Sequence, residues 1–143
     1  MAEADNPNQY EERKKKFDID KNHKYFLNGN IIISCNYWRK HNITEQLIKI
    51  TEKFNKNLVC PDMDAMNFVF QNNYKEIDYK YCVCAHLNIK KINKQNLFEA
   101  FDNPFIIHYS GHKKPWIRGD TKFFKEYMRI LLKTEFKYLI NNL

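Results

Sequence analysis

Residues 31–35, IIISC, form an unbroken apolar run made mostly of β-branched side chains. Such a run predicts a strand covered on both faces rather than an alternating strand with one wet face. Residues 37–40 then turn the chain. Thr44 stands before Leu47, Ile50 and Phe54, whose helical spacing predicts a helix capped by Thr44. A second helix is expected after Pro61, with Met63, Met66 and Phe70 at i, i+3 and i+7. Residues 74–85 alternate well enough for strands, residues 94–102 read as a short helix, and residues 105–109, opened by Pro104, read as a buried strand. Near the start, QYEERKKKFDID reads as a charged helix whose basic cluster 13–16 is a solvated face, preceded by a frayed polar stretch, residues 1–9. Strand and helix alternate, which favours a layered α/β architecture.

The 143 residues are about one domain's worth of chain. Aromatics are abundant and Gly and Pro are scarce, so the chain folds. Its 24 basic against 17 acidic residues give a net charge of +7. That charge admits phosphate-bearing or anionic-membrane partners without choosing between them. The lysines are scattered and no RRM, KH or helix-turn-helix pattern occurs, so nucleic acid is not an expected partner. Cys35, Cys60, Cys82 and Cys84 fit neither a zinc site nor a CxxC pair and read as reduced, buried thiols. No apolar run approaches the ~20 residues of a membrane span and no signal-peptide core is present, which places the chain in the cytoplasm.

Candidate chemistry gathers in two places. PFIIHYSGHKKPW, residues 104–116, begins as a core strand and ends with His108, Gly111, Lys113, Lys114 and a Pro-Trp step. A strand's C-terminal end is where open α/β sheets place ligands, and these residues suit an anionic, metal-bearing one. CPDMDAMNFVF, residues 60–70, sets Asp62 and Asp64 around a helix N-terminus. Ordinary capping by Asp62 explains that pattern as well as ligand binding does. Residues two apart do not share a helix face, so at most one of the two acids faces a ligand.

Taken in order with KNHKYFLNGNIIISCNYWRK, residues 21–40, these stretches resemble glycosyltransferase family 8, whose corresponding pieces read YFNAGVLLIN…WR, PDQDxLN and HYxGxxKPW. The resemblance runs from about Tyr10 to Trp116. It implies the C-terminal half of a GT-A nucleotide-diphospho-sugar transferase fold over residues 10–120, followed by a basic amphipathic helical tail, residues 121–143. It further implies retaining transfer of galactose or glucose from a UDP-hexose donor to a lipopolysaccharide acceptor, aided by Mn2+. By the same resemblance His108 is a metal ligand, Gly111 and Lys114 hold the diphosphate, and Asp62 contacts the donor sugar. Asn67 matches the family asparagine and is expected to be a structural hydrogen-bonder.

Two positions depart from the pattern: Met63 stands where the family has Gln, and Leu27 where it has Asn. Family members are about twice this long, and their other half carries the nucleotide-binding units and the Asp-x-Asp metal pair. A single His108 cannot hold a divalent ion that expects several ligands. The sequence therefore reads as a truncated or split transferase that needs a separate N-terminal half for activity, or as an inactive remnant serving as a carbohydrate- or partner-binding module. In the tail, Phe124, Met128, Leu131 and Leu132 recur at helical spacing among Lys122, Lys125, Arg129, Lys133 and Lys137. That pattern fits a helix docked on the core, or a peripheral anchor at the anionic inner membrane.

Overall fold

A computed structural model describes residues 7–86, 95–112 and 114–142. Its elements run α1 (Pro7–Lys16), α2 (Cys35–Lys40), α3 (Ile43–Phe54), α4 (Pro61–Val69), β1 (Val83–Cys84), α5 (Gln95–Asp102), β2 (Ile107–His108) and α6 (Phe124–Leu131). The described residues are mostly helical, with one small parallel sheet. The chain divides after Ile77 into two compact units.

In the first unit α3 and α4 follow the sequence pattern. Leu47, Ile50 and Phe54 are half-buried along one stripe of α3, and Phe54 meets Phe68 of α4 with ring centroids 5.5 Å apart. The core beneath is Tyr10, Phe17, Ile19, Tyr25 and Met63, with Leu27, Phe54 and Leu58 packed against it. α1 belongs to this core. Its cluster 13–16 is not a uniformly solvated face, because Arg13 and Lys14 are buried. Each is buried with a partner: Arg13 Nη1 lies 3.1 Å from Asp64 Oδ1, and Lys14 Nζ 2.8 Å from Glu11 Oε1. A charge leaves water only when paired, and their aliphatic stems pack as apolar surface.

The expected strand at 31–35 does not form. Residues 31–34 lack regular structure, and Cys35 opens α2 across the stretch expected to turn. Ser34, in extended geometry, is the N-cap of α2 and its Oγ accepts from the Tyr37 amide. A strand needs a neighbour for its ladder, and no described segment supplies one to this run. Nor does Thr44 cap α3, which starts at Ile43. Its hydroxyl instead accepts from Trp38 Nε1 at 2.8 Å, tying α2 to α3.

The second unit is built on β1 and β2, paired in parallel with Val83 opposite Ile107 and Cys84 opposite His108. Within 74–85 only these two residues of β1 are strand. Residues 79–81 make a turn of 3-10 helix begun by Asp78, whose side chain accepts from the Lys80 amide at 2.9 Å. α5 buries Leu97, Ala100 and Phe101, one face of the helix expected at 94–102. Tyr109 Oη donates to the Phe123 carbonyl at 2.7 Å and so ties the loop after β2 to the start of α6. Leu131 is the buried residue of α6, and a 3-10 stretch, Glu135–Asn142, follows. All four cysteines are free, and only Cys84 is fully buried, while Cys35 is exposed. No described helix is long and apolar enough to cross a membrane.

Candidate functional site

The two acids of PDMDAMN have opposite environments. Asp64 is 1% exposed and every lone-pair direction is taken. Its Oδ1 accepts from Arg13 Nη1 and the Tyr25 hydroxyl, and its Oδ2 from the amides of Val59 and Cys60 at 2.8 and 3.0 Å. The carboxylate therefore reaches back over the N-terminus of α4 and satisfies amides left over there, beside the positive end of the helix. This corrects the expectation that Asp62 caps the helix. Burial, and then the negative Asp64, hold the Tyr25 phenol far above its usual range. Asp64 is thus committed to the fold.

Asp62 is exposed in the first turn of α4, and its Oδ2 accepts from Asn28 Nδ2 at 2.8 Å. The ring of contacts behind it centres on Asn67, fully buried. Asn67 Oδ1 takes the Phe26 amide at 2.8 Å and His23 Nε2 at 2.9 Å, while Nδ2 donates to the carbonyls of Phe26 and Met63. Because His23 Nδ1 accepts from the Asn72 amide, the ring proton sits on Nε2 and points at Asn67. Asn67 is the structural hydrogen-bonder expected, and it clamps residues 26–28 onto α4. The departures from the family pattern lie beside this clamp: Met63 is in the core, and Leu27 packs against it. Both apolar replacements therefore add to one hydrophobic cluster.

His108, Gly111 and Lys114 come together in the second unit, on the loop leaving β2. His108 is half-buried at the strand's end. Burial lowers its pKa, and the charges of Lys114 and His86 push the same way, so the imidazole is neutral near pH 7 and free to donate a lone pair. Gly111 has φ +75°, a left-handed conformation that side chains with a Cβ rarely adopt. Lys114 Nζ donates to the Tyr109 carbonyl and lies 5.5 Å from the Trp116 ring centroid. The ammonium is held over the loop with donors to spare. His86, two residues beyond β1, was not singled out from the sequence. Its Nδ1 lies 2.5 Å from Ser110 Oγ, a contact made only because the parallel pairing sets the ends of β1 and β2 side by side. Lys113 lies outside the described residues.

A divalent metal is typical of the family this loop resembles. Among the described residues, no three His, Cys, Asp or Glu side chains gather where they could hold one. The His108 imidazole offers one nitrogen lone pair, and these residues do not complete a ligand set around it. The environment of His108 is directly measurable. Its imidazole should titrate by NMR with a midpoint below the ordinary 6.5, and Lys114→Met should raise that midpoint by removing a nearby positive charge. An unchanged midpoint in the variant would separate the two side chains electrostatically.

The backbone matches the apo structure of the bifunctional glycosyltransferase WbbM with a TM-score of 0.75 at 19% identity, over 94% of this chain and 24% of that one. The fold is therefore shared with part of that solved glycosyltransferase. Residues 2–119 match glycosyl transferase family 8, and the chain belongs to that family. Among its relatives, general stress protein A of Bacillus subtilis is 32% identical over 113 residues, 73% of this chain and 40% of that protein. A lipopolysaccharide 1,2-glucosyltransferase of Escherichia coli is 30% identical over 102 residues, 68% of this chain and 30% of that protein. The chain spans less than half the length of these curated relatives.

Proposed function

We propose that this chain is the C-terminal part of a GT-A-type retaining hexosyltransferase, one that moves galactose or glucose from a UDP-sugar to a lipopolysaccharide acceptor. The observation that carries the reading is the loop after β2. It joins a neutral His108, a left-handed Gly111 and a braced Lys114 at the end of a parallel strand. The Escherichia coli relative supports the choice of acceptor.

In this reading Gly111 lets the backbone approach the diphosphate, and Lys114 offsets the negative charge that grows on UDP as it leaves. Asp62, oriented by Asn28 at 2.8 Å, accepts a hydroxyl of the donor sugar. A manganese ion would polarise the diphosphate, with His108 as one of its ligands. The isolated chain is expected to turn over no UDP-hexose. Supplying the remaining part of a family 8 domain should restore UDP binding, and Lys114→Ala should then weaken UDP more than it weakens uridine. Equal losses by calorimetry would remove Lys114 from the diphosphate site.

A second reading is a non-catalytic carbohydrate- or partner-binding module. Met63 and Leu27 favour it, since both replace polar family residues with apolar side chains committed to the core. Hexose transfer by the reconstituted protein would end that reading.

The tail supports a peripheral location on the cytoplasmic face of an inner membrane. Leu132, Phe136, Tyr138 and Leu139 are all exposed, and Lys133 and Lys137 stand among them. The chain should bind vesicles rich in anionic lipid more tightly than neutral ones, with salt weakening the contact. Removing residues 132–143, which spares the docked α6, should abolish it. Equal sedimentation of full and shortened chains would leave the tail without a membrane role.

A further inference from the structure

We infer that Asn28 is a self-modifying position: its side-chain amide is lost to attack by the backbone nitrogen of Gly29, and the carboxylate that replaces it breaks the contact with Asp62. Asn28-Gly29 is the one place in the sequence where a glycine follows an asparagine, since the other two glycines follow Ser110 and Arg118. With no Cβ, Gly29 leaves its nitrogen open to the side chain before it. The local structure leaves that approach free. Asn28 is half-buried outside any helix or strand, and Gly29 is exposed in a bend, so no ladder holds the backbone there. Among the described residues the Gly29 amide makes no hydrogen bond, and Asn28 Oδ1 makes none either. Asn67 is the opposite case, fully buried inside α4 with both ends of its amide engaged.

Water is the only co-reactant. Hydroxide takes the Gly29 amide proton, the nitrogen attacks Asn28 Cγ, and the Cγ–Nδ2 bond breaks, Nδ2 leaving as ammonia with a proton from water. Water then opens the cyclic imide at either carbonyl, giving aspartate or its β-linked isomer. The departing Nδ2 is the atom that donates to Asp62 Oδ2 at 2.8 Å. An oxygen anion in its place sets two carboxylates against each other, and like charges at that range repel. The β-linked product also lengthens the backbone just after Phe26, which Asn67 pins to α4. The candidate site is thus altered as the chain ages. This inference rests on the local structure and not on the UDP-sugar reading, so either can fail alone.

The test incubates the full chain in warm buffer at mildly acidic and mildly alkaline pH and follows residue 28 by peptide mapping with mass spectrometry. Asn28 is expected to convert to the acid and its β-linked isomer, faster in alkali, while Asn67 stays intact. Gly29→Ala should convert about tenfold more slowly, because the added methyl raises the barrier to attack. Gly29 is not among the residues of positive φ, so alanine suits its backbone. Asn28→Asp, which is the product itself, should lower the melting midpoint, and adding Asp62→Asn should restore it by placing an amide opposite a carboxylate again. An unconverted Asn28, a Gly29→Ala chain that converts as fast as the parent, or equal conversion of Asn67 would overturn the proposal. So would an Asn28→Asp chain with the parent's melting midpoint, in which Asp62 would not feel the new charge.

Discussion

Asp64→Ala is expected to destabilise the first unit by about 3–5 kcal/mol, because it leaves the Arg13 guanidinium buried with no counter-charge. The loss is compounded by the amides of Val59 and Cys60 and the Tyr25 hydroxyl, which all donate to the same carboxylate. Arg13 is 5% exposed, so water cannot take over the missing contacts without the core opening. The denaturation midpoint of the variant should fall steeply while the slope with denaturant is retained. A paired replacement, Arg13→Met with Asp64→Leu, should recover much of the Arg13 component, since a packed apolar pair removes the cost of burying charge. A loss below about 1 kcal/mol in Asp64→Ala would show the ion pair to be solvated, as exposed pairs of that worth are.

Asn67→Leu is the second large effect, expected at about 3 kcal/mol or more from unpaired buried groups that cost about 1–3 kcal/mol each. The amide serves four partners at once: His23, the Phe26 amide, and the carbonyls of Phe26 and Met63. Leucine keeps the branched shape and is the larger side chain, so the loss reports unpaired polar groups and crowding rather than a cavity. The same change should free residues 26–28 from α4 and so weaken the Asn28–Asp62 contact. Amide exchange at Phe26 should quicken even in conditions where the rest of the unit stays folded. Slow exchange there would mean the segment is held by packing against Leu27 and the core alone.

The helical stripes were legible because an apolar period of three to four positions needs only one partner surface to be realised. Leu47, Ile50 and Phe54 on α3 and Leu97, Ala100 and Phe101 on α5 are such stripes. The strands were less legible. IIISC has every local mark of a buried strand, yet a strand is completed by hydrogen bonds to another segment, and residues 31–33 find none among the described residues. Residues 105–109 were read as one strand, and two of them, Ile107 and His108, pair with β1.

At the candidate sites, the sequence alone identified the family, through spaced side chains that stay recognisable whatever surrounds them. It could also state that Asp62 and Asp64 diverge, because a helix turns about 100° per residue and separates i from i+2. Which of the two acids was buried depended on Arg13, 51 positions earlier, and on Tyr25, 39 positions earlier. The basic cluster 13–16 likewise looked solvated until folding brought Asp64 to Arg13. His86 gained its contact with Ser110, 24 positions away, from strand pairing. Periodicity and motif spacing are properties of neighbours along the chain, so they survive in a bare sequence. The partners of a buried charge are chosen by packing between distant segments, and only the tertiary structure names them.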